Sequence, residues 1–185
     1  MKLNAKELRD VDENNIEVAE KLKALKRRSM YFILENIYDT YNIGGLFRLA
    51  DALAIEKMYI CGESEIPPNS KIKKASIGTY KVVPWEYCKS ASEAVADLRS
   101  NIKDQTSKIK VIAVEQSPNS IPYQKTDYSL PLALIFGNET YGVTEETLKL
   151  ADQIVEIPMY GVNKSLNVIV SAAIISYWAA GILFK

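Results

Sequence analysis

Three short segments bring amides, a carboxylate, a hydroxyl and a guanidinium next to glycine at the ends of apolar runs. The first is Tyr41-Asn42-Ile43-Gly44-Gly45-Leu46-Phe47-Arg48-Leu49-Ala50-Asp51, a helix expected directly after a strand. Asn42 suits its N-cap, and Arg48 stands six residues on, roughly 9 Å along the axis. From there a guanidinium can reach back to the cap or turn to a phosphate. The plainer alternative is that Asn42 caps and Arg48 pairs with Asp51 or solvent. The second segment, Phe136-Gly137-Asn138-Glu139-Thr140-Tyr141-Gly142, follows another apolar run. Its glycines permit positive φ and close approach of a ligand to the backbone. Gly137 and Gly142 have the spacing of a P-loop, but Val143-Thr144 occupies the place of Lys-Ser/Thr, which disfavours a triphosphate. Here the plainer alternative is a tight turn that ends a strand.

The third segment runs from Ile157 through Pro158, Met159, Gly161, Lys164, Ser165, Leu166 and Asn167 to Val168, then continues without a charge to Lys185. A glycine-bearing loop feeding an apolar helix fits a small-molecule site at a helix N-terminus, where free N–H groups collect. Ser165 is the expected cap, with Asn167 in the first turn. An amide buried there without a partner costs about 1–3 kcal/mol, so protein or ligand must supply one. The same stretch resembles a membrane anchor, since the nineteen residues from Leu166 to Phe184 carry no charge. Asn167, Ser171, Ser176 and the small residues among them favour a helix buried in a core and a subunit interface instead.

Histidine is absent. That excludes Ser-His-Asp and Cys-His catalysis and every His-ligated metal, and no metal is expected. Acid or base chemistry falls to Asp, Glu, Lys, Tyr, Cys or water. Cys61 and Cys88 lack a C-x-x-C spacing and read as reduced thiols, in keeping with a cytoplasmic protein. The N-terminus has no apolar h-region and so no expected secretory signal. With 23 Lys and Arg against 23 Asp and Glu, no global field draws in polyanions. Local basic clusters remain at Lys21, Lys23, Lys26, Arg27 and Arg28, and at Lys71, Lys73, Lys74 and Lys81.

These residues must be positioned by a single domain of 185 residues. Helices are expected at 4–28 (divisible at Asn14-Asn15), 43–54, 70–76, 90–103, 144–151 and 165–183. Strands are expected at 30–34, 57–61, 110–114, 132–136 and 154–157. Strands and helices alternate and several strands are apolar on both faces, which predicts an α/β fold with a parallel sheet covered by helices on both faces. Ligands in such sheets sit beyond the carboxyl ends of the strands, here the loops after Leu34, Val114, Phe136 and Ile157.

Taken together, the three segments resemble the three motifs of the SpoU/TrmH-type RNA ribose 2′-O-methyltransferases of the SPOUT superfamily. Residues 42–52 resemble the first motif, 134–142 the second and 157–173 the third. Ser76-Ile77-Gly78-Thr79-Tyr80-Lys81 and Lys125-Thr126-Asp127-Tyr128 extend the likeness across about residues 30–180. The resemblance implies a deep C-terminal trefoil knot, against the usual rule. It also implies S-adenosylmethionine as methyl donor, RNA as substrate and a homodimer formed through the last helix. Cofactor contacts are implied at Val114, Glu115, Gln116, Gly137, Ile157, Met159 and Leu166, and catalytic roles at Asn42, Arg48, Glu139, Ser165 and Asn167. Residues 1–28 would form a helical extension in contact with RNA, Lys26-Arg27-Arg28 guiding target choice, and 29–185 the methyltransferase domain. Without a separate N-terminal RNA-binding domain the likeness leans to tRNA over ribosomal RNA. A catalytically idle RNA-binding module on the same fold is the rival. The chain departs from the family at Ala54, where glycine is frequent, and at Asn138, where a small residue is usual and the amide would alter the approach of RNA.

Overall fold

A computed structural model describes residues 2–12, 16–101 and 108–184. Among them seven strands form one sheet: β1 (Arg28–Glu35), β2 (Ile55–Cys61), β3 (Trp85–Cys88), β4 (Lys110–Val114), β5 (Ile121–Pro122), β6 (Leu132–Phe136) and β7 (Gln153–Glu156). The order is β3-β2-β1-β6-β4-β7-β5, and every pairing is parallel. The helices are α1 (Ala5–Arg9), α2 (Ile16–Lys23), α3 (Thr40–Ala52), α4 (Ser70–Ser76), α5 (Ala91–Asn101), α6 (Glu145–Leu148) and α7 (Val168–Leu183).

The unbroken apolar runs of β1, β4 and β6 follow from burial on both faces. Successive side chains point to opposite sides of a strand. Phe32 and Leu34 pack with Leu46 and Phe47 of α3 and Ala172 and Ile175 of α7. Ile33 and Ile135 face the other way, onto Ala94, Val95 and Leu98 of α5. Phe32 and Phe136 meet edge to face across β1 and β6, ring centroids 5.3 Å apart. Small residues let α3 lie close to its neighbours. A Cβ on Gly44 would sit 2.5 Å from Ala75 Cβ in α4, and one on Gly45 would sit 2.4 Å from Ile169 Cδ1 in α7.

Several expectations change. The first predicted helix is two short ones, α1 closed by a capping box between Asn4 and Glu7; Asn14 and Asn15 lie outside the described residues. Strands β3 and β5 carry no apolar run to announce them, because both are edge strands, β3 half exposed and β5 ending in Pro122. Asp39, not Asn42, caps α3, its carboxylate accepting from Tyr41 N–H at 2.8 Å. Asn167, not Ser165, caps α7 by accepting from Ile169 N–H at 2.9 Å. The carboxylate and the amide win because each stands directly before the first residue of its helix. At 16 residues α7 is shorter than the chargeless run, and no helix among the described residues is long and apolar enough to cross a membrane.

Two members of the basic N-terminal cluster are used inside the fold. The Arg27 guanidinium donates to the carbonyls of Ile55 at 3.2 Å and Val82 at 2.5 Å, and Arg28 lies 5.0 Å over the Phe184 ring. Arg27 is therefore a staple between β2 and the 79–83 turn. Lys81 likewise donates to the carbonyls of Arg9 and Val11, holding the α1 segment. Cys61 and Cys88 are register partners on β2 and β3 and are free thiols. Burial pushes both up, Cys88 to about 11, which keeps them protonated and unreactive at neutral pH.

Ala54 explains its own departure from the family. It sits at φ +48, a left-handed conformation that costs a residue with a Cβ roughly 1–2 kcal/mol. Ala54→Gly relieves that strain and gives back part of the gain to unfolded-chain entropy. A rise of about 0.5 kcal/mol in unfolding free energy is expected by urea titration, with the slope unchanged.

Candidate active site

The parallel sheet aims the carboxyl ends of β1, β4, β6 and β7 at one edge of the molecule. Between the loops that follow β4, β6 and β7 and the first turn of α7 lies a cavity of about 360 Å³, within the size range of ordinary ligand pockets. All seven residues implied as cofactor contacts line it: Val114, Glu115, Gln116, Gly137, Ile157, Met159 and Leu166. Glu139 and Ser165 line it as well, whereas Asn42, Arg48 and Asn167 do not.

The loop after β6 is held from both sides by carboxylates. Glu115 accepts from Val143 N–H at 2.8 Å and from Gln116 N–H at 2.8 Å. Glu35, buried at the end of β1, accepts from Thr144 N–H at 2.9 Å, Thr144 Oγ1 at 3.0 Å and Thr147 Oγ1 at 2.5 Å. Three donors satisfy a charge that would otherwise be costly to bury. Asn138 closes the turn from within, its Oδ1 accepting from Thr140 N–H at 2.7 Å and Tyr141 N–H at 3.0 Å while its Nδ2 donates to the Asn36 carbonyl at 2.8 Å. It is 6% exposed, and its side chain is spent on shaping the loop.

Gly142 completes the turn at φ +69, where a Cβ would fall 2.0 Å from Glu115 Oε2. Across the mouth, Gln116 Nε2 donates to the Lys164 carbonyl at 2.5 Å and ties the loop after β4 to the loop after β7.

Three of the five implied catalytic residues meet in one chain of hydrogen bonds. Asn42 Nδ2 donates to Glu139 Oε1, and Asn167 Nδ2 donates to Asn42 Oδ1 at 3.0 Å. Asn167 Oδ1 is the cap acceptor of α7. Asn167 is exposed rather than buried, so desolvation did not demand this partner, but its amide meets Asn42 and the three motifs are joined through side chains. Ser165 is exposed in the loop, its N–H donating to Asn163 Oδ1 at 3.3 Å. Arg48 is exposed on α3 and makes no hydrogen bond or ion pair among the described residues.

Glu35 and Asn138 do not stand out in the sequence as holders of this loop. A carboxylate ending a fully apolar strand is the signal that marks Glu35. Asn138 has none beyond its departure from the family pattern.

The cavity joins apolar walls (Val114, Phe136, Ile157, Leu166) to a few polar groups. The backbones of Met159 and Leu166 make no hydrogen bond among the described residues and are free for the edge of a ligand ring. No imidazole is present to act as a base. Such a site suits a donor that brings its own activation more than one that the protein must activate.

Fold and cavity define a parallel α/β protein with a cavity of small-molecule size beyond the carboxyl ends of its strands. The chain belongs to the SpoU rRNA Methylase family, whose model matches residues 29–177. It is 28% identical over 156 residues to the tRNA (guanosine(18)-2′-O)-methyltransferase of Escherichia coli K12, covering 84% of this chain and 65% of that one. It is 30% identical over 159 residues to the enzyme of the same name from Thermus thermophilus, with 85% and 78% covered. The chain thus spans just under two thirds of the length of the E. coli relative. Among solved structures, the Aquifex aeolicus TrmH/SpoU tRNA modifying enzyme superposes with a TM-score of 0.73 at 27% identity, over 87% of this chain and 81% of that one. The SpoU methyltransferase AviRb from Streptomyces viridochromogenes, in complex with AdoMet, shares the fold with a TM-score of 0.76 at 24% identity, over 85% and 58%.

Proposed function

We propose that this protein transfers the methyl group of S-adenosylmethionine to a ribose 2′-hydroxyl of RNA, with tRNA as the substrate. The observation that carries this reading is the Glu139–Asn42–Asn167 chain, which joins all three family motifs beside the cavity. The names of the E. coli and Thermus relatives support tRNA over ribosomal RNA.

S-adenosylmethionine supplies the methyl as an activated sulfonium. Gly137, Ile157, Met159 and Leu166 would hold the adenosine by backbone and apolar contact, with Val114, Glu115 and Gln116 forming the opposite wall. Methyl transfer is an in-line displacement, so the protein's part is to orient the hydroxyl and stabilise the oxygen as its proton leaves. Arg48 is often described as the base in this family, but a guanidinium is essentially always protonated. In our reading Arg48 clamps the adjoining phosphate and stabilises the developing alkoxide, and water or the phosphate takes the proton. Asn42 orients the ribose and is itself held by Glu139 and Asn167, while Ser165 reaches the ribose from the loop after β7.

The loop after β7 is, in the same reading, the crossing of a trefoil knot. Its support is the Gln116–Lys164 hydrogen bond and the return of α7 to the face of β1 and β6 although β7 lies beyond β4. The partly exposed side of α7 is proposed as the face of a homodimer: Val170, Tyr177, Trp178 and Ile182 are 45, 53, 43 and 43% exposed and recur at helical spacing. Trp178→Glu is expected to convert dimer to monomer, as read by sedimentation velocity, with the far-ultraviolet circular dichroism retained.

Incorporation of tritiated methyl into a tRNA pool transcribed in vitro tests the function directly. Incorporation that depends on both RNA and protein is expected. Binding of RNA and S-adenosylmethionine without incorporation favours the idle binding module.

A further inference from the structure

A second cavity, about 370 Å³, lies beside the first motif and is lined by Tyr38, Asp39, Thr40, Tyr41, Glu65, Asn69, Ser70 and Lys71. Nothing in the mechanism above uses it. Two of its walls are phenol rings, Tyr38 at 47% and Tyr41 at 50% exposure. Each therefore leaves about half of its surface open to a ligand ring. Tyr38 is fixed, its hydroxyl donating to Glu63 Oε2 at 3.0 Å. The Tyr41 side chain makes no hydrogen bond among the described residues.

The cavity shares no lining residue with the active-site cavity but lies beside Asn42, the residue proposed to orient the ribose. Tyr41 immediately precedes Asn42. Tyr141, on the wall of the first cavity, is 81% exposed. The Tyr38 phenol is raised above its ordinary pKa by its hydrogen bond to Glu63, then by burial and that carboxylate's charge, and last by Tyr141.

The polar lining says what fits. The first N–H groups of α3 and α4 are already taken by the side chains of Asp39 and Asn69, so the helix ends offer little to an anion. Asp39 and Glu65 place negative charge on the lining, which repels phosphate but suits a neutral ring bearing N–H donors. Positive charge is confined to one side: Lys71 on the rim, with Lys73 and Lys74 exposed along the same helix. Aromatic walls, carboxylate acceptors and a basic rim are the combination that single-stranded RNA meets when a base is unstacked and its backbone is tracked by lysines.

We infer that this cavity is a nucleobase subsite: an unstacked base of the RNA, next to the ribose being methylated, lies on Tyr41 against Tyr38, with Glu65 as acceptor for its N–H groups and Lys71 on its phosphate. The inference rests on the methyltransferase reading for its substrate.

Its test is the affinity of the full chain for unmodified tRNA transcripts, by fluorescence anisotropy, alongside its affinity for S-adenosylmethionine by calorimetry. Tyr41→Ala should weaken RNA binding roughly ten-fold or more, the usual effect of removing a base-stacking ring. Tyr41→Phe, which keeps the ring, should stay within about two-fold of the parent. Affinity for S-adenosylmethionine should be the same in all three proteins. Unchanged RNA affinity in Tyr41→Ala, an equal loss in Tyr41→Phe, or a parallel loss of S-adenosylmethionine affinity each overturns the subsite while leaving methyl transfer by the parent standing. Failure of the parent itself to bind or methylate the transcripts overturns the function and the subsite together.

Discussion

Arg48→Ala is expected to lose methyl transfer by at least about 10²–10³-fold in turnover, the scale for removing one donor aimed at developing negative charge. Affinity for S-adenosylmethionine should be unchanged, because Arg48 does not line the cofactor cavity. The fold should also be unchanged, because the side chain is exposed and makes no internal hydrogen bond or ion pair among the described residues. Single-turnover kinetics with saturating cofactor separates this outcome from a binding defect. Arg48→Lys distinguishes charge from shape. An ammonium keeps the positive charge but lacks the planar fork that grips a phosphate and an adjoining oxygen together, so only partial recovery is expected. Near-normal turnover in Arg48→Ala would remove Arg48 from the mechanism and leave orientation of the ribose to the Glu139–Asn42–Asn167 chain.

Gly137→Ala is expected to be nearly as damaging by a different route. A Cβ at this position would lie 2.3 Å from Gly142 C and Val143 N and 2.4 Å from Gly142 O. All three are backbone atoms of a loop pinned by Glu35, Glu115 and Asn138, so no side-chain tip can swing aside. Overpacking of this kind costs typically 1–3 kcal/mol. For a chain of this size that lowers the thermal midpoint by about 2–12 °C, and cofactor affinity should fall with it because the displaced loop is a wall of the site. Gly161→Ala is the matched control: it lies in the loop after β7 with nothing within 4 Å of an added Cβ. It should melt with the parent in differential scanning calorimetry.

The fold was legible where burial alone dictates residue type. Strands β1, β4 and β6 are flanked on both faces, so Phe32, Ile33 and Leu34 had to be apolar in succession, and the parallel sheet followed from that. Edge strands β3 and β5 were illegible because exposure on one side permits Glu86 and Pro122. Helix boundaries were set by which side chain reached the first free N–H groups, and composition near a helix start offers several candidates. Asp39 and Asn42 compete in the first motif, Ser165 and Asn167 in the third. In both cases the losing residue is one that the site proposal employs, which is how local expectation and site requirement come to disagree.

For the candidate site, the seven implied cofactor contacts share one cavity, and Asn167, exposed rather than buried as its apolar surroundings suggested, still bonds to a partner. That partner, Asn42, lies 125 residues away and no local pattern carries it. The roles of Glu35 and Asn138 were hidden for the same reason, since they bond to segments 109 and 102 residues away. The basic triad at Lys26-Arg27-Arg28 shows the limit of charge counting. Charge density suggested RNA, whereas Arg27 is consumed by two backbone carbonyls.

Whether the ribose oxygen receives the methyl group is tested most directly by mass spectrometry of nucleosides. The sample is tRNA transcript incubated with the protein and deuterated-methyl S-adenosylmethionine. A labelled nucleoside whose added mass stays with the sugar on fragmentation is the predicted result. Label on the base instead, or unlabelled RNA from protein shown to have bound both substrates, would contradict it.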